Sequence, residues 1–304
     1  MKKQDFIVKS PSIEDIFEDF CDARMSEGIK EKTIQTYKAH LKAMSPFFDI
    51  EKSVDNVTNK DIIQAITRIS KTDVSRNSIR SYTATLSSFF HWMRDENIAD
   101  LSVALFKGEE TIPETYTEEE LRALLKHPKK GAMFSEYRSW AIVNLLVNNG
   151  IRAGSVRSIQ IRDVNLERSV IVLRHNKTKK VQNIPLCPAL ITVLHEWMKI
   201  RKGKPDDWLF PDYDGGQMTE DGFRHSIVRY NKSRGVRKTG IHMFRHTFAR
   251  TYIVDCKGNA LKLQKLLGHS TLKMTERYVK IYDSDLVNDF QEISPLSVIQ
   301  KKRR

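Results

Sequence analysis

The stretch His242-Met243-Phe244-Arg245-His246-Thr247-Phe248-Ala249 places two imidazoles and a guanidinium on one short segment. Leu266-Leu267-Gly268-His269-Ser270 follows, and Tyr278 stands nine residues after His269. Arginine, histidine and tyrosine side chains in such a series are typical of a site that handles a charged group and its protons. We therefore expect the chemistry of the protein near the end of the chain.

A second group of cations lies upstream of these segments. Asn149-Gly150-Ile151-Arg152 supplies another guanidinium, and Lys177 belongs to a basic turn at Asn176–Lys180. The planar fork of arginine meets phosphate oxygens in pairs and stays charged, so two arginines can hold a phosphate without a metal. Together with the lysine, the histidines and the tyrosine, they form a set suited to metal-free phosphoryl transfer.

In order and spacing, these segments closely resemble the tyrosine recombinase (phage integrase) family, of the mobile-element or Xer-like type. The resemblance is strong over the last two-thirds of the chain and looser before that. It implies a mainly α-helical protein: a helical N-terminal core-binding domain, and a mostly helical catalytic domain with a small antiparallel β-sheet. The two domains would close as a C-clamp around DNA.

The resemblance also implies roles for individual residues. Arg152 and Arg245 would hold the non-bridging oxygens of the scissile phosphate, and His269 would donate a hydrogen bond to it. Tyr278 would attack phosphorus, form a 3′-phosphotyrosyl ester and release a 5′-hydroxyl. A phenol with a pKa near ~10 needs a proton acceptor or strongly positive surroundings for this attack. His242 occupies the general acid/base position of the family.

The lysine on the β-hairpin of the family protonates the leaving 5′-oxygen. It lies eight residues before a proline that ends the second strand, and that proline is Pro185 here, which selects Lys177. Lys179 and Lys180 are close alternatives, because a lysine cluster in a turn can also be a patch that contacts phosphates.

Other residues of the same types receive a structural interpretation. His246 is interpreted as a packing residue of its helix with at most a supporting role. Tyr230, Tyr252 and Tyr282 lack a histidine nine residues before them and are interpreted as packing or surface residues.

One position departs from the family. Arg152 is followed by Ala153-Gly154-Ser155-Val156, whereas the family places an acidic residue at the position of Ser155. In the family that acid helps to arrange the neighbouring catalytic groups, so its absence bears on how Lys177 is held.

Composition limits the class of protein. A length of 304 residues favours two domains. No stretch approaches eighteen uninterrupted apolar residues, and no apolar signal core follows the N-terminus, so we expect no membrane association. Three scattered cysteines and the absence of metal-binding motifs predict neither disulfides nor a metal or other cofactor, and favour the cytoplasm.

The positive charge is concentrated in the second part of the chain. The net charge is +13; residues 1–110 carry 16 Lys and Arg against 18 Asp and Glu, whereas residues 111–304 carry 35 against 20. A basic surface attracts polyanions and binds them in a salt-dependent way. The charge therefore favours nucleic acid as the partner of the second domain.

The sequence predicts three regions: a helical core-binding domain at 1–107, a linker at 108–116 and a catalytic domain at 117–304. Apolar residues at helical spacing predict four helices in the first domain, the last spanning Ser75–Asn97. Thr58 and Asp61 predict a capping box there, and Thr117 with Glu120 caps the first helix of the second domain.

In the second domain, strands are predicted at 170–173 and 182–185 on either side of the basic turn. Helices are predicted near the following residues: 133–149, 154–158, 188–202, 219–231, 243–255, 259–267, 271–279 and 284–293. In the last of them Leu286, Phe290 and Ile293 form an apolar stripe. The resemblance implies that this stripe docks on a neighbouring protomer, and packing on its own domain is the alternative.

The function predicted from the sequence is site-specific DNA recombination, with integration or excision of a mobile element as its purpose. The expected partners are double-stranded DNA with inverted-repeat core sites, further copies of the chain in a tetrameric synapse, and accessory DNA-bending or directionality proteins. Two alternatives stay open: a catalytically silent DNA-binding regulator of the same fold, and a type IB topoisomerase-like enzyme.

Overall fold

The computed structural model describes residues 10–109, 113–174, 181–279 and Ser294. The chain divides into two compact units, Met1–Thr111 and Ile112–Arg304. The division falls within the stretch that the sequence predicts as a linker. Within the described residues, no helix combines the length and the apolar character needed to cross a bilayer.

The described part of the first unit contains four α-helices, as predicted. They are α1 (Ile13–Ser26), α2 (Glu31–Met44), α3 (Asn59–Ile69) and α4 (Arg76–Asp95). The predicted capping box is present at the start of α3, where the Thr58 hydroxyl accepts from the main-chain N–H of Asp61 at 3.3 Å and the Asp61 carboxylate accepts from that of Thr58 at 2.8 Å. These bonds satisfy N–H groups that a helix start leaves without partners.

An aromatic core holds the first unit together. Phe17 and Phe20 of α1 are buried against Phe89 of α4, with ring centroids 5.0 and 5.5 Å apart. The predicted apolar stripes of α2 and α4 face the same core. The aromatic residues of this unit are therefore packing residues of its core.

The described part of the second unit is mainly helical. Its helices are α5 (Glu118–Leu125), α6 (Phe134–Asn149), α7 (Ala153–Arg157), α8 (Pro188–Arg201), α9 (Glu220–Ser233), α10 (Ile241–Val254), α11 (Ala260–Leu267) and α12 (Lys273–Val279). The capping box predicted at Thr117 and Glu120 begins α5. The helix predicted near 284–293 lies outside the described residues.

The small sheet has the strand order β1-β2-β3, and all of its pairs are antiparallel. The strands are β1 (Val164–Asn165), β2 (Val170–Leu173) and β3 (Gln182–Pro185). Ile171 pairs with Ile184, and both are buried in the core. The sequence predicts β2 and β3 and misses β1, because two residues carry no alternating pattern.

Helix α6 is the centre of the second unit. Its residues from Arg138 to Val143 are all buried, and it packs against α8, α9 and α10. Six consecutive buried residues cover every side of a helix, so this part of α6 lies inside the protein. Because this packing holds α6 in place, it also fixes the position at which the segment after its C-terminus begins.

Candidate active site

Gly150 ends α6 and directs the chain toward Arg152. It has φ +57°, a left-handed conformation that favours glycine at a helix C-terminus, and its N–H donates to the Leu146 oxygen. A Cβ atom on Gly150 would lie 2.6 Å from Cδ1 of Phe248, so α10 can approach only because the side chain is missing. Arg152 is the N-cap of α7 and is half-buried.

Arg245 joins three segments through its guanidinium. It is 5% exposed. Nη1 donates to the main-chain oxygen of Gly150 at 3.0 Å, and Nη2 donates to that of Leu267 at 2.9 Å. Burial, and then the charge of Arg152, lower the pKa of Arg245 to about 10, which leaves it charged at neutral pH.

Neither arginine has an acidic partner in the described part of the chain. Ser155 occupies the position where an acid was expected and is buried, with its N–H donating to the Arg152 oxygen at 2.9 Å. Both positive charges therefore remain available to an anion.

His269 stands in the turn after α11, which ends at Gly268 with φ +61°. Nδ1 of His269 lies 2.8 Å from the hydroxyl of Thr275, a residue that is completely buried. Burial, and then the charges of Arg245 and Arg152, lower the pKa of His269 to about 4. His269 is consequently neutral at physiological pH. In the tautomer in which Nδ1 accepts from the Thr275 hydroxyl, the ring hydrogen of His269 is on Nε2 and can be donated.

The turn that carries His269 is also tied to the sheet. Nε2 of Gln182, the first residue of β3, donates to the main-chain oxygens of Lys265 at 3.0 Å and Leu266 at 2.8 Å. These oxygens belong to the last turn of α11, and that of Lys265 also accepts from the N–H of Gly268 at 3.1 Å. Gln182 therefore fixes the end of α11 to the β-hairpin.

Tyr278 lies on α12 and is 4% exposed. Its ring is parallel to that of His269, with centroids 6.5 Å apart and an interplanar angle of 6°. Its hydroxyl oxygen lies 2.8 Å from Nδ1 of His246. The candidate nucleophile is thus fixed between two histidines that come from different segments.

His246 is the site residue that sequence reasoning missed. The sequence predicts a packing residue with at most a supporting role, whereas Nδ1 of His246 lies 2.8 Å from the hydroxyl oxygen of Tyr278. A signal was present, because His246 follows His242 by four residues and so shares its helix face. The two rings meet edge to face, with centroids 5.7 Å apart.

His242 lies at the outer end of this group. Although the residue is exposed, partial desolvation of its ring, and then the charges of Arg245 and Arg152, lower the pKa of His242. The structure thus brings together Arg152, His242, Arg245, His269 and Tyr278, five of the six predicted residues.

The sixth, Lys177, and its alternatives Lys179 and Lys180 lie outside the described residues. The strands on both sides are described: β3 ends at Pro185 as predicted, and Arg174, directly after β2, donates through Nε to the buried carboxylate of Asp163 at 2.8 Å.

The other tyrosines have structural contacts. The Tyr230 hydroxyl donates to the Leu124 oxygen at 2.7 Å inside the core, and the Tyr252 ring packs on Phe248. Tyr282 lies outside the described residues. Across the described segments, no three His, Cys, Asp or Glu side chains group as ligands for a metal ion.

Comparison with known proteins identifies the family. The profile of the phage integrase family matches residues 114–285, more than half of the chain, and that of the phage integrase N-terminal SAM-like domain matches residues 16–100. The chain therefore belongs to the phage integrase family. It is a tyrosine-type site-specific recombinase, the class to which its most similar relatives belong.

Tyrosine recombinase XerA of Pyrococcus horikoshii is 26% identical over 284 residues, which cover 92% of this chain and 93% of XerA. Among solved structures, the XerH recombinase bound to palindromic difH in a post-cleavage complex has a TM-score of 0.71 at 21% identity, covering 90% of this chain and 82% of XerH. The Tn1549 transposon integrase with a circular-intermediate DNA has a TM-score of 0.70 at 19% identity, and the match covers 88% of this chain and 95% of the integrase chain. The fold is that of this class.

Proposed function

We propose that this protein cleaves and rejoins duplex DNA through a 3′-phosphotyrosyl intermediate, with Tyr278 as the nucleophile, and that it serves the integration and excision of a mobile element. One observation carries the proposal. The hydroxyl-bearing ring of Tyr278 lies among histidines and two arginines whose charges no acidic side chain offsets within the described residues. A phosphate diester is the anion that such a group of cations accommodates beside a nucleophile.

In this proposal Arg152 and Arg245 bind the non-bridging phosphate oxygens. The negative charge on these oxygens changes as the phosphorus passes through five-coordination, and fixed guanidinium groups stabilise it without reorganisation. His269 adds a neutral donor through Nε2. A donor that stays neutral contributes a hydrogen bond over the whole physiological pH range.

The remaining roles concern protons. His242 acts as an acid/base on the phosphate side, because the charges that lower its pKa are those of the two arginines that bind the phosphate. Lys177 protonates the leaving 5′-oxygen, with Lys179 and Lys180 as alternatives. Sulfur leaves without a proton, so a 5′-bridging phosphorothiolate substrate should restore cleavage to Lys177→Ala and not to variants of the nucleophile.

The proposed reaction uses neither a metal nor another cofactor, since the arginines supply the charge that a metal would supply. Cleavage should therefore persist in excess EDTA. Loss of cleavage in chelator, restored by Mg²⁺, would contradict this part of the proposal.

The proposed partners are duplex DNA with inverted-repeat core sites, three further protomers in a tetrameric synapse, and accessory DNA-bending or directionality proteins. The excess positive charge of the second unit supports a DNA partner, and DNA is bound in the solved structures of similar fold. The two domains would enclose this DNA as a C-clamp, in the cytoplasm.

The central experiment traps the covalent intermediate on a nicked suicide substrate. The unaltered protein should give a protein–DNA adduct on a denaturing gel, and Tyr278→Phe should bind the same DNA without one. Tyr252→Phe, which alters a neighbouring tyrosine that packs on Phe248, is the matched control and should keep the adduct. An adduct with Tyr278→Phe would refute the assignment, and binding without any adduct would favour the silent regulator.

A second experiment addresses the biological reaction. DNA flanking the gene should recombine in an intermolecular assay if the protein moves a mobile element. Recombination only at a chromosomal site would favour a role in dimer resolution, and relaxation of any supercoiled DNA by a monomer would favour the topoisomerase-like alternative.

A further inference from the structure

We propose that His246 is the catalytic base that accepts the phenolic proton of Tyr278. The inference rests on the proposed function and assigns a step to a residue that the proposed machinery leaves unused. Its starting point is the 2.8 Å separation between Nδ1 of His246 and the Tyr278 hydroxyl oxygen. A general base has to lie about 2.6–3.2 Å from the atom whose proton it takes.

His242 is the rival for this role, and its surroundings differ. Within the described residues His242 makes no hydrogen bond; its ring meets the ring of His246 edge to face at 5.7 Å. The charges that act on it are those of Arg245 and Arg152, the proposed phosphate clamp. The two histidines therefore divide the reaction: His246 serves the nucleophile, and His242 serves the phosphate.

The packing of helix α10 fixes the position of His246. It follows Arg245 directly on α10, and the guanidinium of Arg245 is fixed by the Gly150 and Leu267 oxygens. Helix α10 packs against both α11 and α12, and α12 carries Tyr278. The base, the clamp and the nucleophile thus share one packed unit, which is the arrangement that general base catalysis requires.

Each proton that leaves one group in this step binds to another. The O–H bond of Tyr278 breaks and its proton binds Nδ1 of His246, whose neutral tautomer carries its hydrogen on Nε2. The phenolate oxygen forms a bond to phosphorus while the bond from phosphorus to the 5′-oxygen breaks, and the 5′-oxygen takes a proton from the general acid assigned to Lys177. In rejoining, His246 returns its proton to the tyrosine oxygen as the 5′-hydroxyl attacks.

Titratable and charged groups from several elements lie around His246. Its own helix provides His242 and Arg245, the turn after α11 provides His269, and α12 provides Tyr278. Arg152, at the start of α7, acts on this group through its charge. The pH profile of the reaction reports all of them, so a variant of His246 alone is needed.

His246→Asn is the discriminating variant. The asparagine amide occupies the place of Nδ1 and can still form a hydrogen bond to Tyr278, but it cannot take up a proton near neutral pH. Single-turnover cleavage at pH 7 should fall about 10²–10³-fold. Half-site binding and the melting temperature should match those of the unaltered protein. The control, His195→Asn, changes an exposed histidine of α8 and should keep full activity.

The pH profile and the phosphorothiolate substrate sharpen the test. Without a base, the cleavage rate of His246→Asn should rise about tenfold per pH unit until the pH reaches the phenol pKa of ~10. The cleavage rate of the unaltered protein should instead reach a plateau at lower pH. The phosphorothiolate should not restore His246→Asn, because the defect lies in the nucleophile and not in the leaving group. If His246→Asn cleaves at the normal rate with the normal pH dependence, the inference is overturned, and His246 only positions the hydroxyl of Tyr278.

A further measurement keeps His246 in place and covers the case of a variant that does not fold. In Tyr278→Phe the Nδ1 atom loses the hydroxyl, so its ¹⁵N chemical shift and titration midpoint should move relative to the unaltered protein. An unchanged titration overturns the inference. Failure of the unaltered protein to form any adduct would refute the proposed function and the inference with it, whereas a normal adduct with a fully active His246→Asn would refute the inference alone.

Discussion

The carbonyl oxygen of Gly150 accepts a hydrogen bond from Nη1 of Arg245 at 3.0 Å, although 95 residues separate the two along the chain. The bond joins the turn that carries Arg152 to the helix that carries Arg245. The acceptor is a main-chain atom, so it holds the guanidinium without neutralising it. The backbone thus sets the position of the guanidinium, and its charge is kept because no acidic side chain pairs with it among the described residues.

Gly150→Ala should disrupt this junction. The substitution places a side chain at φ +57° and a Cβ atom 2.6 Å from the Phe248 ring, so we expect a loss of about 2 kcal/mol or more in the free energy of unfolding. Urea denaturation measures the loss. Gly154→Ala is the control, because its Cβ would meet no atom within 4 Å in α7, and it should leave stability unchanged or raise it. Equal stabilities of the two variants would contradict the argument.

Gln182→Leu should slow cleavage without weakening DNA binding. The change removes the amide that holds the last turn of α11, and two hydrogen bonds of about 1 kcal/mol each correspond to a roughly tenfold or greater effect on the placement of His269. Asn183→Ala, an exposed neighbour on β3, is the control. The effect should disappear in a His269→Ala background, since coupled residues are not additive. Full additivity of the two changes would rule out the link.

Thr275→Val should expose the role of the His269 tautomer. Valine keeps the shape of the buried threonine and removes the hydroxyl that bonds Nδ1, so the imidazole hydrogen is no longer directed to Nε2. We expect cleavage to fall about tenfold, the effect of one hydrogen bond of ~1.4 kcal/mol. Single-turnover kinetics with saturating protein measure this. Thr192→Val, on the exposed side of α8, should have no effect, and an unchanged rate for Thr275→Val would refute the tautomer argument.

A pH-dependent ion pair should be measurable away from the site. His127 donates through Nε2 to Glu196 at 2.8 Å, and this hydrogen bond raises the pKa of His127. The folded pKa lies above the unfolded value of about 6.5, so the pair stabilises the fold below pH 6.5, and this contribution is lost as the pH rises through the folded pKa.

The melting temperatures of the unaltered protein and His127→Gln should therefore differ more at pH 5.5 than at pH 8.5. His195→Gln changes an exposed histidine beside Glu196 and serves as the control. A difference in melting temperature that is larger at pH 8.5 than at pH 5.5 would contradict the predicted direction of the pH dependence.

Sequence patterns predict the parts of this protein that depend on local chemistry. The Thr58 and Thr117 capping boxes, the proline that ends β3 and the apolar stripe of α4 all follow from neighbours along the chain. Five predicted site residues meet in space as well. The strand β1 was missed, because two residues have no periodicity.

The contacts that hold the site have no signature in the sequence. Arg245 and Gln182 bind main-chain oxygens, and every residue has such an oxygen, so no residue type indicates these acceptors. The contact of His246 with Tyr278 depends on the packing of α12 against α10, which only the tertiary structure provides. The sequence therefore predicts which side chains form the site, but it does not predict the main-chain contacts that position them.

Under the proposed function, the paired guanidinium groups of Arg152 and Arg245 make folding and phosphate binding interdependent. Burial, and then the charge of Arg152, lower the pKa of Arg245, and the second of these causes is a repulsion between the two cations in the folded protein. A bound oxyanion removes this repulsion, so it stabilises the native state beyond what its contacts alone contribute. Under the proposed function, the protein should therefore melt at a lower temperature without DNA than with it, and the melting temperature should report whether a phosphate lies between the two arginines.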